Sequence, residues 1–430
     1  MWDFETDPEY QNDLDWVTEF VREEVEPLQY VIPHVLDLDD PVRQALIPPL
    51  QQQVKDRGLW ATHLGPDLGG QGHGQVKLAL LNEILGGVPI APIVFGCQAP
   101  DSGNAEILAH YGTDDHKRKY LQPLLDGKIF SCFSMTEPQG GSDPKEFTTS
   151  AVLDGDEWVI NGEKWFSSNA RYAEFLIVMV VTEPDAAPYQ QQSMIIVPTT
   201  TPGVEILRNV GHGFGDQDGT HAYIRYTDVR VPQENLLGGR GEAFVVAQTR
   251  LGGGRIHHAM RTVGMARAAL EMMLERAVSR RTQGELLSKK QLVQEMVAES
   301  WIDLEQFRLL VLQTAWKIDR YQDYKRVRGD ISAVKAAMPG VLHRIASRAL
   351  QVHGSLGITE EMPFMGMISN AYHLGLADGP TEVHKVTLAR TILSQATPTD
   401  GLFPTTHRPA AREAAVAKYA DVLAHAGRPA

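Results

Sequence analysis

The stretch Phe133-Ser134-Met135-Thr136-Glu137-Pro138-Gln139-Gly140-Gly141-Ser142-Asp143 marks the place where the texture of the chain changes. Its two glycines let backbone N–H groups come close to an anionic or flat ligand, and its Thr and Ser hydroxyls can orient one. Taken alone, it reads first as a surface turn, and its surroundings decide between the two. On the N-terminal side, from about Asp13 to Asp126, apolar residues recur with helical spacing, punctuated at Pro48-Pro49, Gly69-Gly70 and Gly86-Gly87. From about Phe130 to Leu237 short alternating or β-branched runs take over: Trp158-Val159-Ile160, Phe175 to Val181, Met194 to Val197 and Ala222 to Val231. Helical periodicity returns at Glu242. There Leu270, Met273, Leu274 and Ala277 form one stripe, and Val293, Met296, Val297, Ser300, Leu304, Phe307 and Val311 a second, both expected as bundle core. The chain therefore reads as α+β: an N-terminal helical domain (1–129), a middle β domain (130–240), a C-terminal domain of four-helix type (241–397) and a tail (398–430). One tail helix is expected from about Ala410 to His425.

Composition narrows the function. With 430 residues, 43% hydrophobic and 22% charged, the chain can bury several ordinary cores, which excludes a disordered, collagenous or coiled-coil protein. A net charge of −14 repels polyanions, so no general nucleic-acid binder is expected. Cys97 and Cys132 are too few for a disulfide framework or a cysteine-built metal centre. No His-x-x-x-His pair stands with a carboxylate partner, so no metal is expected. A reducing, cytoplasmic setting is the natural reading. The acidic N-terminus carries no apolar signal segment, and Phe175 to Val181 is far shorter than the roughly 20 residues of a membrane span. Leu78 to Phe95 is interrupted by Asn82, Glu83, two glycines and two prolines, and reads as a buried helix and a turn.

Three further segments carry chemistry. In Asn161-Gly162-Glu163-Lys164-Trp165-Phe166-Ser167-Ser168-Asn169, the Asn-Gly pair signals a hairpin, and the aromatic pair followed by serines can wall a flat-ring pocket or simply fill a core. Leu251-Gly252-Gly253-Gly254-Arg255-Ile256-His257-His258-Ala259-Met260-Arg261 is read as opening a long helix with cations that attract an anion or form a solvated face. Leu376-Ala377-Asp378-Gly379-Pro380-Thr381-Glu382-Val383-His384 lies between two helices, where Asp378 is either a helix cap or a functional carboxylate.

In this order, across a helix/β/helix chain, the four segments resemble the acyl-CoA dehydrogenase family from about residue 13 to 395, with Thr-Glu-Pro-x-x-Gly-Ser-Asp the most specific match. Cys97 to Asn104, the Gly-Arg-Ile-His-His run and Leu-Ala-Asp-Gly-Pro are similar to the subgroup whose animal members carry a fused kinase-like domain, to which nothing in these 430 residues corresponds. The resemblance implies FAD held between the β domain and the C-terminal domain. Phe133, Met135, Thr136, Gly141 and Ser142 are then expected at the flavin and its pyrophosphate, with Phe166 and Ser168 beside them. Arg280, Thr282, Gln283, Gln291, Gln351, Gly354 and Ser355 match positions that reach the adenine half of a neighbouring subunit's FAD, which implies an obligate homo-oligomer, a dimer or a tetramer.

The implied reaction removes an α proton from an acyl-CoA thioester and passes the β hydride to the flavin, with electrons going on to an electron-transfer flavoprotein. Asp378 matches the catalytic base, where the family usually has Glu, and Gly254 occupies the alternative base position. Arg255 matches a buried Arg near the base. Three departures stand out: Phe166 in place of the usual Trp, Pro380 in place of Thr, and Glu382, a flavin-side position, in place of Gln. Ser142, Asp101, Phe244, His258 and Arg261 are expected at the substrate. At about 100° per residue, His258 falls near 300° and Arg261 near 240° from Arg255, while His257, near 200°, points away. His258 and Arg261 would therefore meet a hydroxyl or phosphate near carbon four. Competing readings are a flavin oxidase of the same fold (nitroalkane-oxidase-like or acyl-CoA oxidase), elimination from a 4-hydroxy- or 4-phospho-acyl-CoA, and an idle flavin scaffold.

Overall fold

The computed structural model describes residues 5–68, 70–211 and 219–427. Of the punctuating pairs, Gly69 lies outside the described residues. The N-terminal domain holds α1 (Pro8–Phe20), α2 (Pro41–Asp56), α3 (Gln75–Leu85), α4 (Ala91–Val94), α5 (Asp101–Tyr111), α6 (Asp114–His116) and α7 (Gln122–Leu125). Asp7 and Asp40 cap the first two through their carboxylates, each with Pro at the first helical position, where no N–H is missed. Pro48-Pro49 does not punctuate: α2 runs through both.

Gly127, at φ +75°, turns the chain out of α7 into the β domain. Its strands are β1 (Phe130–Ser134), β2 (Ser150–Asp154), β3 (Glu157–Ser168), β4 (Ala173–Val181), β5 (Gln192–Pro198), β6 (Val204–Val210), β7 (His221–Pro232) and β8 (Leu236–Leu237). They form one sheet in the order β6-β7-β3-β2-β4-β5-β8, with β1 pairing parallel to β4. The apolar run of β4 is buried on both faces, and its alternation divides two cores. Phe175, Ile177 and Met179 pack with Leu108, Leu124 and Val246, whereas Leu176, Val178 and Val180 pack with Trp158, Ile160 and Tyr226. Each such side chain stabilises the fold by about 1.5–3 kcal/mol. The Asn161-Gly162 pair is not a hairpin turn. It lies inside β3 at a bulge against β7, and Gly155 makes the β2–β3 turn instead.

The C-terminal domain comprises α8 (Ala243–Ser279), a small hairpin of β9 (Arg281–Thr282) and β10 (Glu285–Leu286), then α9 (Gln291–Tyr321), α10 (Arg328–His353), α11 (Phe364–Leu376) and α12 (Thr381–Leu393). Most of the two expected stripes faces the shared core, but Leu274 is 40% exposed. The glycine segment does not open α8. The helix starts at Ala243, eight residues earlier, so Gly252–Gly254 is interior and offers no positive helix end. α8 meets the N-terminal domain backbone to backbone: a Cβ on Gly264 would lie 1.9 Å from the Glu83 carbonyl oxygen, and one on Gly86 2.1 Å from that of Arg261. In the tail the expected helix is divided in two, α13 (Arg408–Lys418) and α14 (Ala420–His425). Among the described residues no helix is long and apolar enough to cross a membrane. Both cysteines are buried free thiols.

Candidate active site

Three glycines in mid-helix cost α8 about 1 kcal/mol each relative to alanine, so the bare surface they leave calls for an explanation. Asp378 supplies one. A Cβ on Gly254 would lie 3.2 Å from Asp378 Oδ2, so the carboxylate sits directly over that backbone. Asp378 is not a helix cap. It adopts φ +55°, a left-handed conformation, between α11 and α12, and α12 begins without a side-chain cap. Three side chains hold this turn. Arg255 Nε donates to the Asp378 carbonyl at 2.9 Å, His384 Nε2 donates to the same oxygen at 3.2 Å, and Lys335 Nζ bonds the carbonyls of Leu374 (2.5 Å) and Gly379 (3.3 Å). His258 Nε2 lies 3.5 Å from Asp378 Oδ2.

Burial pushes the Asp378 carboxyl upward, but His258, Arg250, Arg255 and Lys335 outweigh it and hold the group below the ordinary carboxylate range. Burial lowers His258 to about 4, so its ring is neutral at neutral pH. Desolvation brings Lys335 down to about 8. In the ligand-free protein the site thus presents an ionised carboxylate beside a neutral imidazole.

The opening motif is held by a buried ion pair. Lys164 Nζ, from β3, meets Glu137 Oε1 and the Met135 carbonyl, each at 2.8 Å, and the N–H groups of Thr148 and Thr149 donate to the same carboxylate. These partners overcome desolvation and hold Glu137 down to about 2. The Trp165 N–H donates to the Thr136 carbonyl at 2.8 Å, which ties the β3 aromatic pair to the motif. Phe166 is kept at φ +53° with 45% of its surface exposed, and Gly141 and Ser142 are exposed. Met135 and Thr136 are half-buried. Ser168 Oγ and His221 Nδ1 are 2.8 Å apart, and the His221 ring lies 6.0 Å from that of His373 on α11, where the β domain meets the C-terminal domain. Phe133 lies under the Arg250 guanidinium, 4.0 Å from the ring centroid. A strained exposed aromatic beside hydroxyls and a small-residue turn is a donor set that fits a flat ring bearing phosphates.

The other expected residues are dispersed. Asp101 is buried, and its carboxylate accepts from the Ser131 N–H (2.7 Å), the Ser131 hydroxyl (2.5 Å) and Gln98 (3.0 Å). Burial raises it to about 6. Phe244 packs on Tyr189. Arg261 is committed to Asn82 and the Cys97 carbonyl, so it braces the N-terminal domain. His257 is buried edge-on to His63 and points away from Asp378. Arg280, Thr282, Gln283, Gln291, Gln351, Gly354 and Ser355 are all exposed on the single chain, as is Glu382 in the first turn of α12. Sequence reasoning missed Arg250, Lys335, Glu106 and the clamping role of His384. Arg250 and Lys335 sit at helical positions where a cation reads as a solvated face. Among the described residues no group of three His, Cys, Asp or Glu could hold a metal ion.

A helical domain, a β domain and a helical bundle, with a half-buried carboxylate on the bundle and an exposed aromatic beside hydroxyls on the sheet, fit the class of flavin-dependent oxidoreductases. Models of the acyl-CoA dehydrogenase N-terminal, middle and C-terminal domains match residues 7–128, 132–229 and 241–393. The protein named probable acyl-CoA dehydrogenase FadE2 of Mycobacterium tuberculosis is 42% identical over 81% of this chain and 86% of its own length. Acyl-CoA dehydrogenase family member 11 of Gallus gallus is 41% identical over 79% of this chain, which spans only 44% of that protein. A solved structure from Mycobacterium abscessus assigned to the acyl-CoA dehydrogenases is 36% identical with a TM-score of 0.84, covering 91% of this chain and 100% of its own. The chain belongs to the acyl-CoA dehydrogenase family: it is an oxidoreductase, and FAD is its cofactor.

Proposed function

We propose that the protein catalyses α,β-dehydrogenation of an acyl-CoA thioester to the trans-2-enoyl-CoA, with electrons passed to an electron-transfer flavoprotein. The observation that carries this reading is the Asp378 carboxylate, set over Gly254 on a turn clamped by Arg255. Thr136, Ser142 and Ser168 would hold FAD against Phe133, Met135 and Phe166, and FAD when bound supplies the acceptor for the β hydride. Asp378 Oδ2 takes the α proton, and the clamp of Arg255, His384 and Lys335 fixes its turn so that no reorganisation precedes the transfer. Substrate binding expels water from beside Asp378 and raises its basicity toward operating pH. Neutral His258, 3.5 Å away, completes a polar wall that does not compete for the proton at neutral pH.

The exposed side chains from Arg280 to Gln291 and from Gln351 to Ser355 support a homo-oligomer, a dimer or tetramer, in which each subunit completes a neighbour's cofactor site. A cytoplasmic enzyme of fatty-acid β-oxidation is the setting this proposal implies. The purified protein mixed anaerobically with a panel of acyl-CoAs tests the reaction through loss of flavin absorbance. Rapid recolouring in air with peroxide formed would instead assign an oxidase.

A further inference from the structure

One buried chain of side chains joins all three domains. Arg250 Nε, on α8, donates to Asn104 Oδ1 at 2.9 Å, and Asn104 Nδ2, on α5, donates to Ser131 Oγ at 2.9 Å. The Ser131 hydroxyl, on β1, in turn donates to Asp101 Oδ1 at 2.5 Å. Every link donates in the same sense, from guanidinium to carboxylate, and all four side chains are buried. A satisfied network of this kind holds its members in one arrangement. The cation that it fixes is stacked on the ring of Phe133, which is itself only half-buried.

Packing alone calls for no cation there, since an aliphatic side chain would cover the same ring. A guanidinium withdrawn from water is costly unless a charge meets it. Four groups act on Arg250, and three of them answer it in part or not at all. Glu106 reaches over Gly253, where a Cβ would lie 2.8 Å from Oε2, and burial raises it to about 8, so it keeps its proton at neutral pH. Burial keeps the Cys132 thiol protonated as well. Asp101, raised by burial to about 6, is ionised at pH 7 but stands at the far end of the chain. The strongest attraction comes from Asp378, so Arg250 is coupled both to the base and to the aromatic of the opening motif.

The proposed reaction moves a negative charge between those two places. The α C–H bond breaks and its proton goes to Asp378, the β C–H bond breaks and its hydrogen leaves with the electron pair to FAD, and the C=C bond forms. Asp378 ends neutral, and the flavin ends with one more negative charge.

We infer that Arg250 is the counter-charge of the reduced flavin, a buried cation stacked on Phe133 that raises the reduction potential of bound FAD. The inference rests on the FAD placement and hydride transfer proposed above. A cation preset in a site of low dielectric acts more strongly than in water, and nothing has to reorganise when the charge arrives. Arg250 loses Asp378 as its partner in the same step in which the flavin gains its charge.

The test measures the potential of FAD on the purified holoenzyme at pH 7, by anaerobic reduction against a reference dye without acyl-CoA, in wild type, Arg250→Met, Arg250→Lys and Asp101→Asn. Arg250→Met should shift the equilibrium toward oxidised flavin by about tenfold or more, which is about 30 mV for a two-electron couple. Arg250→Lys keeps the charge and should keep most of the potential. Asp101→Asn removes the opposing charge and should move the potential upward, by less. An Arg250→Met potential equal to wild type overturns the inference. So does an equal fall in Arg250→Lys, because the loss then follows packing instead of charge. Where Arg250→Met does not retain FAD, Asp101→Asn decides: a rise upholds the counter-charge, and a fall or no change overturns it. Bleaching by a panel of acyl-CoAs is read separately, and potentials that shift as stated in an enzyme that no acyl-CoA bleaches sink the dehydrogenation and leave the counter-charge standing.

Discussion

Arg255 Nε donates to the carbonyl oxygen of Asp378 at 2.9 Å, joining α8 to the turn before α12 across 123 positions of sequence. The bond goes to the backbone of Asp378, so Arg255 fixes where the carboxylate stands without neutralising it directly. Arg255→Met should therefore lower kcat for flavin bleaching by about 10- to 100-fold while KM moves little, because a displaced base loses transition-state alignment more than binding. Equal losses on binding and turnover, or none, would show that the clamp does not position the base.

Gly254→Ala separates stability from activity. Alanine should stabilise α8 by about 1 kcal/mol, seen as a rise in Tm. Its Cβ would lie 3.2 Å from Asp378 Oδ2, so the carboxylate must shift by a few tenths of an ångström and bleaching should slow. A variant both more stable and equally fast would mean that the carboxylate tolerates the shift and that Gly254 is not needed for the base.

The Lys164–Glu137 pair is fully buried at both ends. Lys164→Met leaves the carboxylate without its cation and should destabilise the protein by about 3–5 kcal/mol, with loss of FAD retention. Adding Glu137→Gln to that variant should recover part of the loss. A double variant as unstable as the sum of the two singles would show that the residues act independently.

The pH profile of kcat/KM reports the free enzyme. Asp378 is held below the usual carboxylate range there, and a lowered pKa keeps the base ionised as pH falls, with activity lost only when pH passes below that depressed value. No acid-side loss is expected between about pH 8 and about pH 5. A tenfold fall per unit as pH drops below about 6.5 would mean that Asp378 is not held ionised, or that His258 takes up a proton there and must be neutral for activity.

The three-domain outline was legible because the hydrophobic period changes twice, near Phe130 and near Glu242, and β4 reads as an unbroken buried run. Asn161-Gly162 misled because a Gly at φ +139° serves a bulge as well as a turn. The glycines of α8 looked like a helix start because propensity disfavours them mid-helix, and only the tertiary structure shows the carboxylates that occupy the space they leave. Local pattern left Asp378 either a helix cap or a functional carboxylate, and only the family resemblance singled it out, whereas His258 followed from helical phase. Lys335 and Glu106 could not, since each meets the site through contacts from a distant element: Lys335 bonds residues 39 and 44 positions away.

The central claim is that Asp378 removes a proton from an acyl-CoA so that the flavin can be reduced. It is tested most directly by anaerobic stopped-flow bleaching of wild type and Asp378→Asn, matched for FAD content. The account predicts rapid bleaching of wild type by at least one acyl-CoA and a rate lower by about 10²-fold or more in the variant, with FAD still bound. Bleaching of Asp378→Asn at close to the wild-type rate would contradict it.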